Sequence, residues 1–153
     1  MNRPFISGAL LAAALLASPL FAAARQGETN LPPQRAGNGK EVVTRSGLRY
    51  TDLKLGEGQE AKAGNTVGVH YLGWLEDGGA RFDASQNPEH PFTFRIGIDD
   101  VIQGWHEGIT GMRVGGKRRL VVPPDLGYGK QGAGQVVPPN ATLIFEVELV
   151  KVR

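Results

Sequence analysis

Cysteine is absent from this sequence. That one gap excludes disulfides, thiolate zinc sites and cysteine nucleophiles together, and freedom from a stray thiol suits an oxidising compartment. A surplus of one charge sign is missing too: 17 Lys and Arg stand against 15 Asp and Glu, and Lys117-Arg118-Arg119 is the only basic cluster. No nucleic-acid footprint follows from so even a balance. Histidine is scarce. His70, His90 and His106 lack HExxH or any other ligand spacing, so no metal site is expected. His70, set between Val69 and Tyr71 in an alternating run, reads as a partly buried structural residue. No GxSxG elbow occurs, and beyond residue 24 the only serines are Ser46 and Ser85, which leaves no serine-hydrolase elbow. Gly111 to Lys117 matches the glycine–lysine half of a phosphate loop. Arg118 follows where a magnesium-binding hydroxyl is required, and a strand rather than a helix comes next, so this segment reads as a glycine-rich turn.

Long hydrophobic runs are also few. Residues 5–17 form an apolar run behind Arg3, and Ala22 and Ala24 satisfy the Ala-x-Ala pattern of an export peptidase site. The run falls short of the ~18 residues that span a bilayer, so residues 1–24 are expected to be a cleavable signal peptide. No lipid-bearing cysteine follows it. Periplasmic or secreted placement, without a stable membrane anchor after cleavage, is the expectation. Loss of 1–24 removes one base, Arg3, and leaves sixteen bases against fifteen acids. Residues 25–41 hold almost no large apolar side chains and are expected to form a flexible leader, because they cannot bury enough surface to offset their ordering entropy.

What the chain does have is punctuation: 22 glycines and 10 prolines without any collagen-like period. Many tight turns between short apolar runs indicate a β-rich fold. Strands are expected at 42–43, 48–55, 66–75, 91–97, 118–122 and 141–150, with the domain covering 42–153. In the third of these Val67, Val69, Tyr71, Gly73 and Leu75 share a face. In the fourth Phe92, Phe94 and Ile96 do so. In the last Leu143, Phe145, Val147 and Leu149 face inward while Glu146 and Glu148 face water. Only 103–110 reads as helical, with Trp105 and Ile109 four apart on one face. The sum is an α+β arrangement, an antiparallel sheet with one short helix laid on its single apolar face.

Tyr71, Phe82, Phe92, Phe94, Trp105, Tyr128 and Phe145 are spread over most of this domain, and pattern alone reads them as core. Asp83 cuts against that reading. It follows Phe82 directly, where an unpaired buried carboxylate would be costly.

Taken together, the motifs resemble a known family. Val69-His70-Tyr71-Leu72-Gly73-Trp74-Leu75, Arg81-Phe82-Asp83-Ala84-Ser85, Pro91-Phe92-Thr93-Phe94, Val101-Ile102-Gln103-Gly104-Trp105-His106-Glu107-Gly108, Gly127-Tyr128-Gly129 and the run 136–149 resemble, in order and spacing, segments of the FKBP-type peptidyl-prolyl isomerases. The resemblance implies a five- to six-stranded antiparallel half-barrel wrapped around one short helix. It implies cis/trans rotation of X-Pro bonds in unfolded or partly folded exported polypeptides, with no cofactor and no metal. Trp105 would be the floor for the proline ring, and Tyr71, Phe92, Val101, Ile102 and Phe145 its walls, with Phe82 beside them. Asp83 would pair with the Tyr71 hydroxyl, Tyr128 would hydrogen-bond the substrate carbonyl, and Ile102 would offer its backbone N–H. Val136 and Val137 would line the loop above. Macrolide inhibitors of the tacrolimus and rapamycin type would compete for the pocket. Ala133 stands where the family's cytosolic prototype has a loop histidine, a difference that bears on substrate selectivity. No inserted chaperone domain or long helical dimerisation arm is evident, so a monomer is expected. A periplasmic chaperone gripping chains through the same pocket without turnover is the alternative.

Overall fold

A computed structural model describes residues 39–153. The proposed signal peptide (1–24) and all but the last three residues of the proposed leader (25–41) lie outside the described residues.

Among the described residues seven strands form one antiparallel sheet: β1 (Glu41–Val43), β2 (Arg49–Lys54), β3 (Thr66–Leu75), β4 (Arg81–Ala84), β5 (Phe92–Arg95), β6 (Lys117–Val122) and β7 (Leu143–Val152). The order is β1-β2-β6-β7-β3-β4, with β5 also paired to β3. Helix α1 (Gln103–Ile109) precedes β6, and a 3₁₀ turn (Pro124–Leu126) follows it. The architecture is the expected α+β sheet around one short helix, with more strands than the five or six anticipated. The additional one, β4, is short. It takes up residues 81–84, for which no strand was expected, while β1, at three residues, extends the strand expected at 42–43 by one. β1 also begins at Glu41, the last residue assigned to the leader.

The longest strands form where alternation was clearest. β3 and β7 pair over nine register positions from Val67↔Val152 to Leu75↔Leu143. Leu143, Val147 and Leu149 are wholly buried and Phe145 almost so. Glu146 and Glu148 are half-buried rather than fully in water, and they stand opposite Arg119 and Lys117 of β6. The other sheet face is not purely polar: Trp74, Val121 and Ile144 form a small second cluster there. The segment Gly111 to Gly116 is a turn, closed by the Gly116 N–H donating to the Arg113 carbonyl at 2.9 Å.

Helix α1 is seven residues long and contains two glycines, each costing about 1 kcal/mol relative to alanine in a helix. Packing holds it. A Cβ on Gly104 would lie 2.6 Å from Val122 Cγ1, and one on Gly108 would lie 2.7 Å from Leu120 Cδ2. The two glycines, four apart, let the helix backbone lie directly on β6. Trp105 and Ile109 then turn into the core, at 5% and 0% exposure. Beneath the C-terminal end of the helix, buried Arg118 donates to Asp52 at 2.7 Å and to the Gly108 carbonyl at 3.0 Å. Its guanidinium also lies 4.2 Å from the Tyr50 ring centre.

Candidate active site: an aromatic cleft over Trp105

Between α1 and the concave sheet face lies a cleft of about 200 Å³, lined by Tyr71, Asp83, Phe92, Asp100, Val101, Ile102, Trp105, Tyr128 and Phe145. Trp105 is its floor because α1 points the indole at the sheet. The ring packs against Tyr71 at 4.8 Å and 80°, Phe145 at 5.4 Å and 79°, and Phe92 at 5.8 Å and 75°. These edge-to-face contacts are each worth about 0.5–1.5 kcal/mol beyond area burial, so the cleft has stiff walls. Phe94, on the same face of β5, packs on Trp105 from the core side at 5.7 Å. Phe92, Phe94 and Ile96 share a face as expected. Phe94 and Ile96 are buried, however, while Phe92 stays 41% exposed because it faces the cleft.

The polar groups sit on the rim. β4 pairs with the end of β3 through Gly73↔Asp83, next to a bulge, and this sets Asp83 over Tyr71. The Tyr71 hydroxyl donates to Asp83 Oδ2 at 2.9 Å, and the Ala84 N–H donates to Asp83 Oδ1 at 2.8 Å. Asp83 is exposed, not buried, so the expected cost of a buried charge does not arise; the carboxylate is both solvated and paired. Burial, and then the Asp83 carboxylate, push the Tyr71 phenol well above its ordinary value. Tyr128 is raised for the same reasons, burial first. Both phenols therefore remain neutral donors at physiological pH.

Tyr128 follows the 3₁₀ turn. The Gly127 and Gly129 N–H groups both donate to the Pro124 carbonyl, at 3.0 and 2.9 Å, so the ring stands at the cleft mouth, 38% exposed. Ile102 caps the start of α1. Its N–H donates to no group among the described residues and is free for a ligand.

Three expected site residues stand elsewhere. Phe82 packs behind the wall against Phe145, at 5.6 Å and 77°, and does not line the cleft. Val137 is 2% exposed and belongs to the core, where it anchors the loop through a bridge to Ala133. Val136 points outward at 57% exposure. Asp100, conversely, lines the cleft and was not anticipated. It sits in the turn that His106 of α1 holds. The Gly97 N–H donates to His106 Nδ1 at 2.8 Å, so Nε2 carries the proton and donates to the Asp99 carbonyl at 3.0 Å. His70, half-buried, lies 3.5 Å from Ser85 Oγ.

A larger hollow of about 310 Å³ lies between Lys54, Met112 and Arg118, but no aromatic side chain lines it. Aromatic walls, neutral phenols and one free N–H make a cleft whose shape and polarity suit a small apolar ring with its flanking backbone. The chain belongs to the FKBP-type peptidyl-prolyl cis-trans isomerase family, whose model matches residues 57–150. An FK506-binding protein of Neisseria meningitidis serogroup B is 54% identical over 106 residues, covering 69% of this chain and 96% of that protein. Among solved structures, AtFKBP13 is similar with a TM-score of 0.67 at 40% identity, over 74% of this chain and 99% of that one. FkpA from Escherichia coli is similar with a TM-score of 0.67 at 36% identity, over 96% of this chain and 65% of that one.

Proposed function

We propose that this chain accelerates cis/trans rotation about X-Pro bonds in exported polypeptides while they fold, with the proline ring seated on Trp105. The observation that carries the proposal is the rigid aromatic cleft, in a chain whose family is that of the prolyl isomerases. Rotation is slow because amide resonance sets a barrier of ~18–20 kcal/mol. The twisted transition state has lost that resonance and its charge separation. Walls made of Trp105, Phe92 and Phe145 therefore favour it over the planar, more dipolar ground state. In this reading Tyr128 donates to a substrate carbonyl and the Ile102 N–H to another, which holds the flanking backbone while the ring turns. Asp83 fixes the Tyr71 ring. Bringing tens of seconds down to milliseconds takes about four decades, or ~5.5 kcal/mol of differential binding, within reach of shape and a few hydrogen bonds.

The export reading rests on the Ala-x-Ala pattern behind the apolar run at 5–17. In this reading the processed chain is periplasmic or secreted, without a membrane anchor. No helix of the described residues is long and apolar enough to cross a membrane. Because the similar Neisseria protein is named for FK506 binding, the same cleft is proposed to take FK506-type macrolides. A protease-coupled isomerisation assay on a short X-Pro peptide, with and without FK506, tests the proposal. Turnover abolished by FK506 is expected. Tight FK506 binding without turnover would leave a gripping chaperone in its place.

A further inference from the structure

The turn that leads into α1 carries the cleft wall at Val101 and the free N–H at Ile102, yet little packing holds it. Residues 97–100 are all exposed, and Gly97 turns the chain with a φ of 82°. Within the turn the Ile98 and Asp99 N–H groups donate back to the Arg95 carbonyl, and the Val101 N–H donates to the Asp99 carbonyl. A segment with so few buried contacts lies close to local opening. One imidazole ties it to the helix. The Gly97 N–H donates to His106 Nδ1 at 2.8 Å, and His106 Nε2 donates to the Asp99 carbonyl at 3.0 Å. Among the described residues no other side chain hydrogen-bonds α1 to this turn.

Both partners of the ring are backbone groups with fixed roles. A peptide N–H only donates and a carbonyl only accepts, so the ring fits in one state, neutral with its proton on Nε2. A second proton, on Nδ1, would turn the acceptor into a donor and set it against the Gly97 N–H. No pairing offsets that loss, because His106 makes no ion pair among the described residues. On the turn, the Asp99 carboxylate accepts from the Arg95 N–H at 2.8 Å. Asp100, and Arg95 at the end of β5, are exposed. Glu107, next on the helix, accepts from the Ser46 hydroxyl at 2.7 Å. The ring packs on buried Phe94, 5.9 Å between centres at 70°, and Phe94 backs Trp105. His106 is half-buried, so solvent protons reach it.

We propose that His106 is the positioning residue for this wall of the cleft: its neutral ring fixes the turn that presents Val101 and the Ile102 N–H, and its protonation releases the turn and slows isomerisation. This rests on the isomerase reading of the same cleft and adds to it a response to pH, since histidine is the side chain whose charge changes between about pH 5 and 8. His106 touches no substrate and acts through the backbone it holds. Activity is present where the ring is neutral and is lost as the pH falls.

The test follows kcat/KM of the full chain from about pH 7.5 to about pH 5.0 on an Ala-Leu-Pro-Phe peptide blocked at both ends, which carries no titrating group. Magnetisation-exchange NMR reads it without a coupling protease. The wild type should lose about three- to tenfold, the worth of one hydrogen bond. In His106→Gln, whose amide accepts and donates without titrating, the ratio between the two pH values should lie within about twofold of one. His70→Gln combined with His90→Gln should keep the wild-type fall, because these rings lie against Ser85 and Asn87 instead. In the free wild-type chain the Gly97 and Ile102 amide resonances should shift with the midpoint of the His106 ring, a readout that does not depend on how well any variant folds. Each ratio is taken within one variant, so a general loss of activity does not mimic the effect. A flat wild-type profile, a fall that His106→Gln retains, or amide resonances that do not follow the ring overturns the proposal and leaves isomerisation intact. Absence of turnover at every pH would instead overturn the isomerase reading, and this proposal with it.

Discussion

The Tyr71–Asp83 hydrogen bond gives the most direct handle on how the cleft is built. Tyr71→Phe removes the donor and nothing else. Asp83→Asn keeps the shape but weakens the acceptor, and Asp83→Ala removes it along with the bond from the Ala84 N–H. Hydrogen bonds to charged groups contribute about 1.5–3 kcal/mol when desolvated. Asp83 is exposed, so water re-solvates the carboxylate when Tyr71 is truncated, and the value must be discounted toward ~1 kcal/mol. A double-mutant cycle of Tyr71→Phe with Asp83→Ala should therefore give a coupling of about 1 kcal/mol. In urea unfolding, with a slope of about 1–3 kcal/mol/M, this appears as ~0.3–1 M of non-additivity in the midpoints. A second readout is independent of stability. Burial is the first cause of the raised Tyr71 phenol and Asp83 the second. In Asp83→Asn, Tyr71 followed by NMR should titrate lower than in the wild type yet still above 10. A coupling below ~0.3 kcal/mol, or a Tyr71 titration indifferent to Asp83, would refute the claim that this bond holds the wall of the cleft.

Tyr128→Phe should reduce kcat/KM about five- to tenfold, the value of one substrate hydrogen bond of ~1–1.5 kcal/mol, and leave the urea midpoint unchanged; full turnover would remove Tyr128 from its role. Gly108→Ala should destabilise by about 1–3 kcal/mol through overpacking, because its Cβ would meet both Leu120 δ-carbons, at 2.7 and 2.9 Å; a neutral effect on the thermal midpoint would contradict the close docking of α1 on β6. Stability should also respond to alkali. The folded chain holds Tyr71 and Tyr128 above their ordinary value of 10.0, so below pH 10 the stabilisation they contribute is fully present. Above it the unfolded chain loses these protons first, and stability falls as pH rises through the folded values. Tyr71→Phe should decline less steeply than the wild type from pH 10 to 11.5, and equal slopes would count against the burial argument.

The strands that position the site were legible where they are long and alternate. Strand β3 runs from Thr66 to Leu75, the bounds the pattern indicated, and β7 differs by a two-residue shift past Asn140, which turns the chain with a φ of 59°. Strand β4 was missed because four residues with Arg81 and Asp83 facing outward carry too little apolar signal. It becomes a strand by pairing with the end of β3. The aromatic floor and walls were legible through the family resemblance, since periodicity alone cannot separate a core ring from a cleft ring. Phe92 and Phe94 show why: they share one face of one strand and differ only in what lies above them. Val136 and Val137 part company because Val136 lies in the tight turn closed on the Ala133 carbonyl and stays exposed, whereas Val137 bridges back to Ala133 and is buried. Asp100 escaped notice because its placement depends on a turn fixed by His106 from the following helix, and no local pattern signals that contact.

The central claim is that this cleft turns X-Pro bonds, and magnetisation-exchange NMR on a proline peptide with a catalytic amount of the full chain tests it without a coupling protease. The account predicts exchange cross-peaks between cis and trans resonances that are absent without the chain, disappear on adding FK506 and are strongly weakened in Trp105→Leu. A well-folded chain that leaves cis and trans unexchanged would contradict it.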